Sequence, residues 1–444
     1  MPEPIMERVL VAQIGARMHY AVPRMLHAAG MLEELVTDAC ASKGWPRLLN
    51  YLPDSFRPAP LKRLLSRVPE GVPSSRITVL HGLGRTYAWR RARASSQSAS
   101  TAAHLWAGQT FCRQILKRGL GKATTLYTFN SAGLELLEAA RQRGLRAIVE
   151  QTIAPCRIER ALLAQEQAAF PRWEGPEDDR LDELMAREEA EWREGSLILC
   201  GSEFVREGIR HSGGPVERCA VVSYAVECPP PYLGGYESTE CCRQNSPLRI
   251  LTVGALGLRK GAPYVLEAAK ALGGRAEFRW VGPLNVAPAV QREFAKFVQL
   301  TGPVPRASMV EQYRWADIFL LPSICEGSAT ASYEALASGL PMIVTPNTGS
   351  IIEAGEQGFI VPIRSAAAIV ERIETLLRQP ELRQIMSSKA RALAEQNTIE
   401  AYAARLISAL ENRDPSPCHE ASHNSLPGCN VLKGRATAEA LGCA

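Results

Sequence analysis

Short apolar runs rich in β-branched residues alternate with helix-like stretches along this 444-residue chain, and the alternation runs twice. Runs of four to six apolar residues without polar alternation suit strands covered on both faces, as in a parallel sheet wound with helices. In the first half the pattern predicts strands at 9–14, 35–38, 77–81, 124–129, 146–150, 197–200 and 220–223. A helix is expected over 131–143, ending at Gly144, a residue type suited to a left-handed cap. The proline-rich stretch 40–75 reads as loop with one short helix. Residues 227–247, with Pro229-Pro230-Pro231, Gly234-Gly235 and Pro247, interrupt the pattern and read as a linker. The alternation then restarts. Strands are expected at 249–253, 277–281, 298–300, 318–321, 342–344 and 359–361, and helices at 262–272, 307–315, 329–338 and 366–378.

The expected division is therefore 1–226 as a first wound domain, 227–247 as linker, and 248–382 as a second wound domain. Helices over 383–411 would cross back to the first domain, and 412–444 would be a poorly ordered tail. The fold class is α/β, two doubly wound units facing each other across a cleft. A chain of 444 residues is too long for one ordinary core, which agrees with two.

Composition narrows the class further. No basic n-region precedes a long apolar stretch at the N-terminus, and the apolar runs, such as Ile318-Phe319-Leu320-Leu321, fall far short of the ~20 residues a membrane-spanning helix needs. A cytoplasmic protein, at most peripheral to a membrane surface, is expected. The twelve cysteines are scattered and form no CxxC pair, so buried reduced thiols are expected. Cys418, His419, His423 and Cys429 fit no standard zinc spacing.

The net charge of +5 hides an asymmetry: 57–122 carries 13 Lys or Arg against one acid, Glu70, whereas 159–194 carries 12 acids against five Arg. The acidic run, Glu177 to Glu194, reads as a solvated helix face. The basic run reads either as an arginine-rich surface or as a patch for an anionic lipid surface or acceptor. Few aromatics and no recognition motif accompany it, so nucleic acid is not an expected partner.

The most informative segment runs from Leu321-Pro322 through Glu326-Gly327-Ser328-Ala329-Thr330-Ala331 to Glu334, Ala335, Ala337, Gly339 and Pro341. A buried strand ends, a short loop holds Glu326, and a helix begins near Ala329. Helix N-termini present unpaired N–H groups and a partial positive charge, so they hold phosphates without a metal. Carboxylates at 326 and 334 can take the hydroxyls of two polyols, one on each side of a phosphate, which is the layout of a nucleotide-diphosphate sugar.

This pattern, Glu-x7-Glu followed by Ala-x-Ala-x-Gly-x-Pro, resembles that of the family-4 retaining glycosyltransferases of the GT-B class. The resemblance spans roughly residues 7–411 and is firmest in the second half. It implies that Glu334 holds ribose hydroxyls and Glu326 those of the donor sugar, with the amides of Ser328 and Ala329 toward the sugar and those of Thr330 and Ala331 toward the phosphates. The loop Val253-Gly254-Ala255-Leu256-Gly257-Leu258-Arg259-Lys260-Gly261 resembles the one that supplies the family's basic residues, so Lys260 and Arg259 are expected at the diphosphate, stabilising the leaving group beside Gly254. The family often has arginine where Ala255 stands.

Weaker matches are Cys200-Gly201-Ser202-Glu203-Phe204-Val205 with 221–227, Thr301-Gly302-Pro303-Val304 near the base, and Gly15 facing the diphosphate and acceptor. In the first of these the family usually has Gly and Asp at the places of Ala225 and Glu227. Arg17, His19 and Tyr20 are expected on the acceptor side.

By resemblance the reaction retains configuration at the transferred sugar and needs no cofactor and no metal. The chain has no Asp-x-Asp motif of the metal-using class. The acceptor is expected to be a glycan, lipid-linked or small molecule. The histidine often found in the family's first domain is missing at Val149-Glu150-Gln151-Thr152, and His81 and His104 read better as ordinary surface or core residues. That gap, with Ala255 and Ala225, leaves open a second reading: a non-catalytic nucleotide-sugar-binding subunit of a glycan-assembly system. A third, a sugar 2-epimerase, would need carboxylates in the first domain that the pattern does not identify.

Overall fold

The computed structural model describes residues 7–53, 56–175, 178–225 and 247–412. The linker residues 227–246, the tail from 413 with its Cys418–Cys429 cluster, and Glu177 lie outside them. Among the described residues thirteen strands form two sheets, each parallel throughout. The first contains β1 (Val9–Gln13), β2 (Leu32–Thr37), β3 (Ile77–Val79), β4 (Thr125–Phe129), β5 (Arg146–Gln151), β6 (Leu197–Cys200) and β7 (Cys219–Val221), in the order β3-β2-β1-β4-β5-β6-β7. The second contains β8 (Leu248–Val253), β9 (Ala276–Val281), β10 (Val298–Gly302), β11 (Ile318–Leu321), β12 (Met342–Val344) and β13 (Gly358–Ile360), in the order β10-β9-β8-β11-β12-β13. In both sheets the order reverses beside the first strand of the unit, so each opens a crevice at the carboxyl ends of its strands.

Burial explains why these runs are strands. In β1, Val9 and Val11 enter one core while Leu10 and Ala12 enter another, on the opposite face. In β11, Ile318 and Leu320 divide from Phe319 and Leu321 in the same way. Every side chain of such a strand leaves water, and each buried Val, Leu or Ile contributes about 1.5–3 kcal/mol relative to exposure.

Two segments pack away from their neighbours in sequence. The helix Cys156–Ala169 and the turn after it belong by sequence to the first half, yet Ala154, Ile158 and Leu162 lie in a core with Leu248, Tyr264 and Trp280 of the second. Phe170 and Trp173 meet Tyr264 and Phe294 edge-on at 5.9 and 6.3 Å. Buried Glu166 accepts from Tyr264 Oη at 2.9 Å and pairs with Arg364. In return, Tyr402, Leu406 and Leu410 of the C-terminal helix Ile399–Glu411 sit in the core of the first sheet. The preceding helix, Pro380–Gln396, stays with the second unit through Met386, Ala390 and Ala394.

The acidic helix departs from its sequence reading. Leu181–Glu194 buries Arg187, Glu188 and Glu191 alongside Met185 and Trp192. Glu188 accepts from Gln151 Nε2 (2.7 Å) and from the amide of Cys156 (2.8 Å). Glu191 accepts the amides of Ser131 (2.5 Å) and Gly133 (2.9 Å). The two carboxylates thus brace the loops after β4 and β5, which is why this face is turned inward rather than solvated. Residues 40–75 also hold more structure than one short helix, with helices at Trp45–Leu48 and Ala59–Leu65.

Candidate donor site in the cleft

The loop after β8 is built around glycines that both backbone conformation and close packing require. At Gly254 (φ +137°) an added Cβ would stand 2.7 Å from Lys260 Cε, and at Gly261 (φ +71°) one would stand 2.1 Å from the Pro322 carbonyl oxygen. Trp280 Nε1 donates to Gly254 O at 2.8 Å. Between the glycines, Leu258–Lys260 forms a single tight turn. The Arg259 carbonyl accepts the amides of Ile324 (2.9 Å) and Cys325 (3.3 Å), which zips this loop to the one after β11.

That zipper brings three charges together. Glu326 Oε1 lies 2.6 Å from both Lys260 Nζ and Arg259 Nη1, and Glu326 and Lys260 are buried. Burial alone would raise the Glu326 carboxyl, but Lys260 and Arg259 together outweigh it and hold its pKa below the ordinary carboxylate value. Burial lowers the Lys260 ammonium more than Glu326 restores it. For the Arg259 guanidinium, burial is outweighed by Glu326 and then Glu159, which raise it. Glu159 itself is raised, by burial first and against the pull of Arg259. Glu174 accepts the amide of Leu258 at 2.6 Å, so two acids from the first half of the chain touch this loop.

The helix Thr330–Ala337 starts beyond this cluster with no side-chain cap on its first turn. Ser332 N is bonded to Ala329 O at 2.9 Å, and Thr330 is exposed. The amides of Thr330 and Ala331 therefore precede the first intrahelical bond and keep the anion-binding character of an open helix end. The Ala329 amide donates to Thr348 O (3.3 Å), while Ser328 Oγ lies 2.9 Å from Tyr333 Oη and donates to Gly349 O (3.2 Å). Their polar groups hold the loop. Glu334 accepts from Tyr313 Oη at 2.7 Å, and Val304 packs partly buried beside Leu251 and Tyr313.

Gly327 carries the contact between the units. A Cβ there would meet the Thr152 carbonyl oxygen at 2.3 Å and Ile153 Cα at 2.7 Å, and Ser202 Oγ donates to Gly327 O at 2.5 Å. Thr152 is in turn held by Asn130 Oδ1, which accepts its hydroxyl at 2.8 Å and its amide at 3.2 Å, and Asn130 Nδ2 reaches Glu188 at 3.4 Å. Sequence reasoning missed Asn130, Glu188, Glu159 and Glu174. Only the strand-end position of Asn130 and Thr152 marks them locally.

The acceptor-side expectations fare unevenly. Gly15 (φ +80°) donates its amide to Asp38 Oδ1 at 2.8 Å, and a Cβ there would meet nothing within 4 Å, so conformation alone selects glycine. Met18, His19 and Tyr20 follow with φ of +44°, +51° and +59°, three successive non-glycine residues in the left-handed region. Such a run is costly and is tolerated where surroundings over-determine it. His19 Nε2 lies 2.6 Å from Arg306 Nη1, joining the two units. Tyr20 is not an acceptor-side group: it is fully buried and donates to Ala39 O at 2.7 Å. Arg17 is spent on Thr152 O (3.2 Å) and Tyr224 Oη (3.1 Å), close to buried Glu150. Tyr127 and Tyr224 both donate to that carboxylate, at 2.6 and 2.8 Å.

With this geometry in view, residues 247–379 match the family model described as Glycosyl transferases group 1. The match covers the second unit, the one that carries Lys260 and Glu326. The two-sheet architecture is the GT-B fold. It superposes on Anabaena Alr3699/HepE, crystallised with UDP, with a TM-score of 0.58 at 14% identity, over 91% of this chain and 100% of that one. The amylovoran biosynthesis glycosyltransferase AmsK of Erwinia amylovora is 29% identical over 192 residues, 40% of this chain and 46% of the relative. The D-inositol 3-phosphate glycosyltransferase of Corynebacterium glutamicum is 29% identical over 234 residues, 48% of this chain and 56% of that one. The chain spans about half the length of the curated relatives it matches.

The six described cysteines, Cys40, Cys112, Cys156, Cys200, Cys219 and Cys325, are free and buried. No described helix is long and apolar enough to cross a membrane. Among the described residues no group of three or more His, Cys, Asp or Glu is placed to hold a metal ion.

Proposed function

We propose that this chain is a retaining glycosyltransferase that moves a sugar from a nucleotide diphosphate to a glycan, lipid-linked or small-molecule acceptor without a metal. The observation that carries the reading is the Glu326–Lys260–Arg259 cluster, buried beside an uncapped helix end and against the other unit. Two fixed cations and the amides of Thr330 and Ala331 offer a diphosphate the positive charge that a divalent ion supplies elsewhere. In the donor complex the phosphates take over Lys260 and Arg259, and the freed Glu326 carboxylate accepts sugar hydroxyls. Glu334 turns to the ribose. Arg259 provides the second cation that Ala255 does not.

In the reaction the bond from sugar C1 to the diphosphate oxygen breaks with its electron pair on the leaving group. The acceptor oxygen bonds to C1 on the same face, and its proton passes to the departing diphosphate. Lys260 and Arg259 stabilise the charge that develops there, more strongly in a closed, dry cleft than in water. UDP in the HepE crystals and the polysaccharide named for AmsK motivate the donor and acceptor classes.

Transfer assays with a panel of nucleotide-diphosphate sugars and acceptors test the reading. Glu326→Gln and Lys260→Ala are each expected to lower kcat/KM at least about tenfold, a loss of ~1.4 kcal/mol. The product anomer keeps the donor's configuration, and chelation leaves the rate unchanged. Wild-type transfer rates in both variants would sink the assignment.

A further inference from the structure

Eight large hydrophobic side chains are conspicuously exposed among the described residues, and six of them fall in two neighbouring pieces of the first unit. Leu48 is 67% exposed, Tyr51 82%, Phe56 73% and Trp89 55%; Trp45 and Leu52 complete the set. The remaining two, Phe297 and Ile385, are isolated in the second unit. The two pieces adjoin, because the Trp45 ring stands 6.3 Å from that of His81, the first residue of the helix His81–Arg93 that carries Trp89. Large apolar side chains exposed together on adjoining pieces mark a contact surface on a folded protein.

The surroundings of this surface are basic. Arg85, Arg90, Arg91 and Arg93 are exposed on the same helix, and exposed Arg47 lies within the first piece. Arg93 stacks over Trp89 at 4.6 Å and Arg90 over Trp106 at 4.3 Å, so arginine and indole are presented together. The only acid between residues 57 and 122 is Glu70. The surface also has a defined place relative to the cleft. The excursion is closed at its neck by Ala41 N donating to Arg67 O (2.8 Å), and Asp38 joins that neck to the site by pairing with Arg67 (3.5 Å) while accepting the Gly15 amide.

We propose that the surface formed by residues 45–53, Phe56 and the helix His81–Arg93 docks the protein on an anionic lipid bilayer, with the Gly15 side of the cleft held toward the headgroups. Trp and Tyr suit the headgroup region, where one part of the ring is dry and another wet, while Leu48, Leu52 and Phe56 enter the acyl boundary. The arginines meet the negative surface potential of anionic lipid. A second copy of the chain fits poorly, because symmetric pairing would set this arginine-rich face against itself. Nucleic acid gives the exposed aliphatic side chains nothing to bury against. The proposal complements a lipid-linked acceptor but does not depend on the transfer reaction.

The test is co-sedimentation of the full chain with phosphatidylglycerol–phosphatidylcholine vesicles and with phosphatidylcholine vesicles alone, at low and high salt. Wild type should partition onto the anionic vesicles, and less so at high salt. Leu48→Ser with Phe56→Ser, and separately Arg90→Glu with Arg91→Glu, should each weaken partitioning about tenfold or more. Thermal stabilisation by a nucleotide-diphosphate sugar should stay at the wild-type level in both double variants, which also verifies that they fold. Equal partitioning onto neutral and anionic vesicles, no partitioning at all, or wild-type partitioning of both double variants would overturn the proposal. So would sedimentation showing a dimer that Leu48→Ser with Phe56→Ser dissolves. If wild type binds vesicles but no nucleotide sugar, the proposed function fails and the docking surface stands.

Discussion

Gly254→Ala probes the contact on which the donor site depends, because the new methyl group would overlap Lys260 and nothing else of comparable closeness. Its Cβ would lie 2.7 Å from Lys260 Cε, against an ordinary contact of about 3.5–4.0 Å. Lys260 Nζ is fixed 2.6 Å from Glu326, so the chain must give up this ion pair or absorb the overlap. Two penalties add. The backbone at φ +137° disfavours any side chain, at about 1–3 kcal/mol. Displacing the lysine weakens a charge-assisted hydrogen bond worth about 1.5–3 kcal/mol, of which Arg259 retains part by staying on Glu326. A double-mutant cycle separates the two, because Lys260→Ala removes the atom that clashes. Gly254→Ala is expected to cost about 1 kcal/mol more in the wild-type background than in Lys260→Ala, read from urea midpoints at unchanged slope. Gly15→Ala, where a Cβ meets nothing within 4 Å, serves as the conformational control and should show no coupling to Lys260. Equal cost of Gly254→Ala in both backgrounds would refute the claim that this glycine exists to seat the lysine.

Other outcomes follow from the same structure. Burial raises the carboxyls of Glu188 and Glu191 to about 7 and about 8, so both retain protons in the folded state at a pH where the unfolded chain has lost them. Their contribution is full below about pH 4.5 and is lost as pH rises through 7 and 8; the rise from 4.5 to about 7 at Glu188 corresponds to about 3 kcal/mol. Urea midpoints should therefore fall between pH 5 and pH 9 (roughly the span of those titrations), and Glu188→Gln should flatten the fall near pH 7. Glu326, held low, acts with the opposite sign, and its stabilisation disappears only as pH drops through the acid range below 4.5. Tyr20→Phe should cost about 1 kcal/mol by stranding the Ala39 carbonyl, with no change in acceptor KM; a KM effect without a stability effect would reinstate it on the acceptor side.

Strand positions were legible because a parallel strand covered on both faces must be apolar at every residue, and β6, β11 and β12 occupy the predicted spans. The Glu326 loop and the Lys260 turn were legible for a different reason: their glycines and small residues answer to steric demands confined to a dozen positions. Burial of Glu188 and Glu191 was not, since a charged helix face looks the same whether it meets water or the amides of two loops thirty to sixty residues away in sequence. Tyr20 misled because its place shortly after Gly15 does not tell where its hydroxyl turns, and its bond to Ala39 depends on a left-handed run that local propensity disfavours. The crossing of Tyr402 and Leu406 into the first core agrees with the expected return of the C-terminal helices, whereas the passage of Ile158 and Leu162 into the second core is invisible in periodicity, which reports that a face is buried but not against what.

Donor binding in the presence of a chelator is the most direct measurement of the site. Titrating the full chain with nucleotide-diphosphate sugars and following its melting should reveal at least one that stabilises it, with the affinity reduced about tenfold or more in Lys260→Ala. Stabilisation that requires a divalent ion, that is equally strong in Lys260→Ala, or that no nucleotide sugar produces would contradict the account.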